Sequence, residues 1–152
     1  MSSLLAHDAF LSVVRDTPLV SIDLIVYDER GHVLLGLRRN APAQGFWFVP
    51  GGRIRKNEPL DIAFSRLALE ELGLVLSRNQ AGWKGLYEHF YSDCFDVASG
   101  ISTHYVVLAH VLTVHRNTLK APESQHSDYR WVAVDDLLAD ACVHENTRAY
   151  FC

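Results

Sequence analysis

The stretch of sequence that decides the fold is GGRIRKNEPLDIAFSRLALEELGL, which occupies residues 51–74. On a helical wheel of about 100° per residue, Leu60, Phe64 and Leu67 share one apolar face. Glu71 falls in the middle of that same face. A carboxylate on an apolar face is costly unless it is paired or holds a metal ion. Wheel position alone leaves two interpretations open, a glutamate that reaches solvent from the helix end and a buried ligand.

The loop before this helix favours the second interpretation. Gly51 and Gly52 allow the backbone to turn sharply and to approach a ligand closely. A backbone carbonyl beside a helical carboxylate is an environment of hard oxygen atoms, which suits Mg²⁺. The sequence therefore predicts a divalent-cation site between the loop and the helix.

The same residues resemble the Nudix box, whose pattern is G-x5-E-x7-R-E-U-x-E-E-x-G-U, with U an aliphatic residue. The matching positions are Gly52, Glu58, Arg66, Glu70, Glu71, Gly73 and Leu74. The resemblance implies an α+β Nudix fold, in which a mixed β-sheet is packed between helices. It also implies that residues 52–74 form a loop–helix–loop that binds a divalent ion and a diphosphate.

One position departs from the box. The pattern has Glu directly after its Arg, and here that residue is Leu67. In ordinary Nudix enzymes this carboxylate commonly takes part in the metal site. Its loss leaves two hypotheses, a degenerate box without activity and a branch of the family with altered chemistry.

The second hypothesis is favoured by a resemblance to GDP-mannose mannosyl hydrolases, a Nudix branch that also lacks this Glu. The resemblance extends over nearly the whole chain and is carried by residues 17–23, 42–53, 103–108 and 123–131. These enzymes cleave the C1–O bond of the sugar and release GDP and a free hexose. The resemblance implies Mg²⁺-dependent hydrolysis of GDP-mannose, and of GDP-glucose, by attack of water at C1 with inversion.

The resemblance also implies a ligand set for the metal ion. Glu71 is the expected carboxylate ligand, the carbonyl of Gly51 the backbone ligand, and the amide oxygen of Gln125 the third. A single carboxylate indicates one Mg²⁺ per subunit, with Mn²⁺ able to substitute.

Two arginines and one histidine are the expected catalytic groups. Arg38 and Arg53 match positions that contact the diphosphate, although a strand-end arginine and a loop cap would look the same. His126 matches the general base, and imidazole, with its pKa near the working pH, suits removal of a proton from water.

Three further residues are candidates for contacts with the sugar or the diphosphate. Asp23 lies inside an apolar strand, where Asp is unusual. We expect it to hold the sugar or to stabilise positive charge at C1; the alternative is a buried acid paired with an arginine. Tyr105 is expected to contact the diphosphate or the sugar, and His89 is a weaker candidate.

The length of 152 residues fits one domain, and the resemblance implies a single Nudix domain over residues 1–152. The net charge of -4 argues against nucleic acid as a partner, because phosphate binding needs a basic surface. With no signal-peptide pattern and no apolar run of membrane length, we expect a cytoplasmic protein that does not bind membranes. The family resemblance implies a homodimer. Strands are predicted over residues 19–27, 32–38, 46–48, 82–91, 103–114 and 129–134, and helices over 4–15, 60–72, 135–141 and 145–151.

Two alternative functions remain open from the sequence. The first is an ordinary Nudix pyrophosphatase that attacks phosphorus, which the intact pair of Glu70 and Glu71 keeps open. The second is a nucleotide-sugar-binding module without catalysis, which would need no base at His126.

Overall fold

The computed structural model describes residues 5–119 and 126–152, and for residues 126 and 127 it describes the backbone alone. The helices are α1 (His7–Asp16), α2 (Leu60–Leu72), α3 (Val134–Ala139) and α4 (Glu145–Arg148). The strands are β1 (Leu19–Tyr27), β2 (Val33–Arg38), β3 (Trp47–Phe48), β4 (Gly51–Arg53), β5 (Gly82–Tyr91), β6 (Thr103–Thr113) and β7 (His126–Val132). Within these ranges, no helix combines the length and the apolar character that a membrane crossing requires.

All the strands belong to one mixed sheet. Its main order is β3-β2-β1-β6-β5, and two further strands join it, β4 on β1 and β7 on β2. The central pair β1 and β6 is parallel, whereas the other pairs are antiparallel. This confirms the predicted α+β fold with a mixed sheet.

Helices cover both faces of the sheet. Successive side chains of a strand point to opposite faces, and β1 is buried on both. On one face Ile22 and Leu24 pack with Phe64 of α2. On the other face Ile25 packs with Tyr150, near the C-terminal end of the chain. Asp23 points to the same face of the sheet as Ile25, and therefore toward the side on which Tyr150 packs.

Helix α2 has the bounds that the sequence predicts. It ends at Gly73, which adopts the left-handed conformation at φ 67° that glycine tolerates without strain. Burial of the helix begins at Ala63. Leu60 shares the apolar face of Phe64 and Leu67 but lies at the first turn, before burial begins, and is 38% exposed.

The bounds of two strands and one helix also differ from the predictions, and for the strands the reason is their pairing with neighbouring strands. Strand β7 begins at His126 rather than at 129, because it continues alongside β2 as far as Arg38. Strand β4 was not predicted, since Gly51 and Gly52 have low strand propensity and are held in the sheet by pairing with β1. The predicted helix over residues 145–151 is divided into α4 and a 3₁₀ turn, Ala149–Phe151.

Candidate active site

The strand pair β1 and β4 brings a carboxylate against the glycine loop. Asp23 and Gly51 are directly paired. A Cβ atom on Gly51 would overlap Oδ1 of Asp23 and would lie 2.5 Å from the carbonyl oxygen of Ile22. Only glycine therefore allows this close approach of the backbone to the Asp23 side chain.

The second glycine makes room for the residue that departs from the box. A Cβ atom on Gly52 would lie 2.5 Å from Cδ2 of Leu67. Leu67 is 2% exposed and belongs to the apolar core between α2 and the sheet. The position that carries a carboxylate in the general pattern is here part of the hydrophobic core.

Glu71 lies buried below the loop. It is 1% exposed, so the interpretation in which it reaches solvent is wrong. Burial raises the pKa of Glu71 to about 7, and the charges of Glu70 and Asp23 act in the same direction. A hydrogen bond from the backbone of Gly51 opposes this rise. A buried carboxylate of this kind gains from a cation, and its oxygens are the ligands that Mg²⁺ prefers.

Asp23 is held by a tyrosine from the other end of the chain. The Tyr150 hydroxyl donates a hydrogen bond of 2.6 Å to Oδ2 of Asp23. Burial raises the pKa of Asp23 to about 7, and this hydrogen bond opposes the rise. The alternative that Asp23 pairs with an arginine is wrong, because its partner is a neutral hydroxyl.

The same tyrosine reaches His89. The Tyr150 hydroxyl lies 3.4 Å from Nε2 of His89. Burial lowers the pKa of His89 to about 4, and the charge of His144 adds to this effect. His89 is therefore neutral at physiological pH.

The two predicted arginines line the cavity in different environments. The guanidinium of Arg38 donates hydrogen bonds of 3.0 to 3.4 Å to the carbonyl oxygens of residues 40–42. That of Arg53 lies 4.8 Å from the centre of the Phe10 ring. Burial lowers the pKa of Arg53 and raises the pKa of Tyr105, which also lines the cavity.

An ion-pair network fastens the loop to α2. Arg66 donates hydrogen bonds of 2.7 and 2.9 Å to Glu58 and one of 3.1 Å to Glu70. It donates a further bond of 2.9 Å to the carbonyl oxygen of Arg53. The Arg66 guanidinium holds the pKa of Glu58 below its usual range. Glu58 and Arg66 thus shape the box, and nothing in the sequence beyond their match to the pattern indicates this specific pairing.

Several of the residues described above line a cavity of about 730 Å³, whereas Glu71 is not among its lining residues. It brings together six of the predicted positions, which are Asp23, Arg38, Gly51, Arg53, His89 and Tyr105. Phe10 and Phe95 also line it, and their rings are stacked with centres 4.9 Å apart. The cavity therefore has a polar part with three arginines, since Arg39 also lines it, and an aromatic part.

Two predicted residues are not placed at the level of side chains. Gln125 lies outside the described residues, so its role as a metal ligand stays a prediction. The backbone of His126 pairs with Arg38. This brings the strand of the predicted base next to a residue of the cavity. Among the residues that the structure describes, no group of three or more His, Cys, Asp or Glu side chains is arranged to hold a metal ion.

Tyr150 is the site residue that sequence reasoning missed. It contacts Asp23 across a separation of 127 residues. A tyrosine near the end of the chain resembles any aromatic core residue, and it matches no motif position. The position of Asp23 inside an apolar strand did indicate that a partner exists, because a buried acid needs one.

Comparison with known proteins gives the class. The chain belongs to the NUDIX family, whose domain model matches residues 17–151. It is therefore a Nudix hydrolase, and enzymes of this family generally use a divalent metal ion, typically Mg²⁺. The Low-salt glycan biosynthesis protein Agl8 of Haloferax volcanii is 43% identical over 123 residues, which are 81% of this chain and 76% of that protein.

Solved structures of the family have the same fold. The MutT NUDIX hydrolase of Burkholderia pseudomallei is similar with a TM-score of 0.70 and 28% identity, over 90% of this chain and 97% of that one. The MutT protein of Methanosarcina mazei has a TM-score of 0.69 and 20% identity, over 90% and 92% of the two chains. The NUDIX domain of NrtR from Shewanella oneidensis, solved with ADP ribose, has a TM-score of 0.65 and 17% identity, over 96% and 95%.

Proposed function

We propose that this Nudix hydrolase cleaves GDP-mannose, and also GDP-glucose, by attack of water at C1 of the sugar, releasing GDP and a free hexose of inverted configuration. The observation that carries the proposal is the burial of Leu67 against Gly52. A core leucine at this position removes one carboxylate from the usual metal set. Among the box carboxylates, Glu58 is engaged by Arg66. Glu71, which is 1% exposed, suits one ion that binds the leaving group rather than several that activate water at phosphorus.

The chemistry at C1 requires a good leaving group and a partner for positive charge. Substitution at an anomeric carbon passes through an oxocarbenium-like state. A bound Mg²⁺, held by Glu71, the Gly51 carbonyl and Gln125, would neutralise charge that develops on the diphosphate. The residues fit this ion, because Glu71 is a buried oxygen donor beside a closely approaching backbone.

The cavity residues have matching roles in this proposal. Arg38 and Arg53 bind the diphosphate oxygens, since both residues line the cavity. Asp23 faces the sugar and stabilises positive charge at C1. Tyr105 and His89 contact the substrate as neutral hydrogen-bonding groups, and His126 removes the proton from water.

The relatives support a sugar-linked substrate at the level of class. The name of the Haloferax volcanii relative includes glycan biosynthesis, a process that consumes activated sugars. We also retain a homodimer in the proposal, with a nucleotide sugar as the partner and neither nucleic acid nor membrane.

An ordinary Nudix pyrophosphatase is the second candidate. It is favoured by Glu70, which matches the box. Its carboxylate already accepts a hydrogen bond from Arg66 and lies 4.0 Å from Arg55. This engagement makes Glu70 a poorer metal ligand than an uncommitted carboxylate.

Product analysis separates the candidates. The purified protein is incubated with GDP-mannose and Mg²⁺, and the products are identified by phosphorus and proton NMR. The proposal expects GDP and free mannose, released first as the inverted anomer. GMP with mannose 1-phosphate would contradict it and support attack at phosphorus. Binding of GDP-mannose without turnover would support the non-catalytic module.

A further inference from the structure

Tyr150, Asp23 and His89 form a short chain of hydrogen-bonding groups at the cavity wall. The Tyr150 hydroxyl lies 2.6 Å from Oδ2 of Asp23 and 3.4 Å from Nε2 of His89. Tyr150 is 2% exposed and is packed in the apolar cluster on its side of the sheet. Asp23 and His89 both line the cavity, whereas Tyr150 lies behind them.

The proton order in this chain follows from the chemistry of its members. The Tyr150 hydroxyl has a single proton, which it donates to Oδ2 of Asp23 over 2.6 Å. The Tyr150 oxygen is then the acceptor for His89, whose Nε2 must carry the proton. A neutral imidazole has one N–H group, which leaves Nδ1 of His89 as the accepting nitrogen.

These hydrogen-bonded groups also fix the orientation of the Asp23 carboxylate. Oδ2 is held by Tyr150, and Oδ1 lies against Gly51, where a Cβ atom would overlap it. A rotation of the carboxylate would break the bond to Tyr150 and bring an oxygen into a new contact in a buried site.

We propose that Tyr150 is a positioning residue, which orients Asp23 toward the sugar and holds His89 in the tautomer with its proton on Nε2. Its effect on the rate rests on the proposed function, whereas its effect on His89 does not. Tyr150 touches no reacting atom, and it acts through the two groups that line the cavity.

The kinetic test compares Tyr150→Phe with Tyr87→Phe. Tyr87 is a matched control because its ring contacts Tyr150 with centres 4.6 Å apart, in the same cluster. Tyr87→Phe also removes one phenolic oxygen, and Tyr87 does not line the cavity. We expect Tyr150→Phe to lower kcat by about tenfold to a hundredfold with KM changed less than about twofold, as for other misoriented catalytic groups. Tyr87→Phe keeps the kcat of the wild type.

A merely structural role gives a different result. Both variants would then lose thermal stability, and both would keep the wild-type kcat at a temperature where they are folded. That outcome would overturn the inference.

A second measurement needs neither turnover nor a variant that folds poorly. Two-bond proton–nitrogen NMR spectra of the wild type, labelled with ¹⁵N in histidine, identify the tautomer of each ring. We expect His89 to carry its proton on Nε2, and a proton on Nδ1 would contradict the proposal. A wild type that is inactive on nucleotide sugars, with His89 protonated on Nε2, would overturn the proposed function and leave the positioning of His89 by Tyr150 intact.

Discussion

At the scale of single residues, the proposed function depends on two positions whose side chains depart from the pattern around them. Leu67 places an aliphatic group where the box has a carboxylate, and Asp23 places a carboxylate inside an apolar strand. The structure resolves both, because Leu67 fills the space below Gly52 and Asp23 accepts a hydrogen bond from Tyr150.

Restoring the box residue should therefore destabilise the protein. Leu67→Glu buries a carboxylate in the core between α2 and the sheet, which costs roughly 3 kcal/mol or more. Leu67→Met is the matched control, since a swap that conserves volume costs less than about 1.5 kcal/mol. Urea unfolding of both variants measures the difference. A Leu67→Glu variant as stable as the wild type would show that this position is open to solvent or metal rather than part of the core.

The buried carboxylates predict how stability depends on pH in the metal-free protein. Burial raises the pKa values of Asp23 and Glu71 to about 7, from ordinary values of 3.8 and 4.5. A raised pKa in the folded state gives stability that is complete below the unfolded pKa and is lost as pH rises through about 7. Between about pH 6.5 and 8 we expect a loss on the order of 1 kcal/mol for each group.

His89 acts in the opposite direction and at lower pH. Its pKa falls from 6.5 to about 4 on burial, so its contribution is lost as pH falls from 6.5 towards 4. Above pH 6.5 the contribution of His89 is therefore constant and does not mask that of the carboxylates. Thermal unfolding of Glu71→Gln across this window should show a smaller slope than the wild type. Equal slopes would mean that Glu71 is ionised throughout.

At the scale of elements, the box is held by contacts within itself. Arg66 joins α2 to the preceding loop through Glu58 and through the carbonyl oxygen of Arg53. The side chains of Arg66 and Glu58 are 17% and 6% exposed, so their ion pair is shielded from solvent. The loop that carries Gly51 is thereby fixed relative to Glu71.

Loss of this bidentate pair should loosen the site. Arg66→Lys cannot reproduce the forked contact with Glu58, and we expect a loss of about 3 kcal/mol, as for other buried pairs. The pair of Arg78 and Asp61 offers a control, because their side chains are 36% and 76% exposed. Asp61 lies on the same helix as Arg66. Asp61→Asn should cost less than about 1 kcal/mol. Equal losses in urea unfolding would show that the Arg66 network does not secure the box.

At the scale of the whole molecule, the sequence predicted the fold well because its information is periodic and local. The wheel placed Glu71 on the apolar face, and the apolar period together with the stop at Gly73 predicted the bounds of α2. Gly51 and Gly52 did not predict strand β4, because its formation depends on pairing with β1. Pairing between distant segments lies outside any local pattern.

The site was predicted only in part for the same reason. Six predicted positions meet in one cavity, since motif matches identify residues that share a ligand. The contact between Asp23 and Tyr150 crosses 127 residues, and an aromatic residue in a core gives no sign of its hydroxyl partner. The predicted roles of Gln125 and of the His126 side chain stay predictions.

In the proposed reaction water attacks carbon, and the oxygen atom of that water can be followed directly. The protein is incubated with GDP-mannose and Mg²⁺ in water enriched in ¹⁸O, and mass spectrometry locates the label in the products. A control with mannose alone corrects for exchange of oxygen between the free sugar and water. We expect ¹⁸O on the hexose and none in GDP. Label in GDP, or in GMP or mannose 1-phosphate, would place the attack at phosphorus and contradict the proposed reaction.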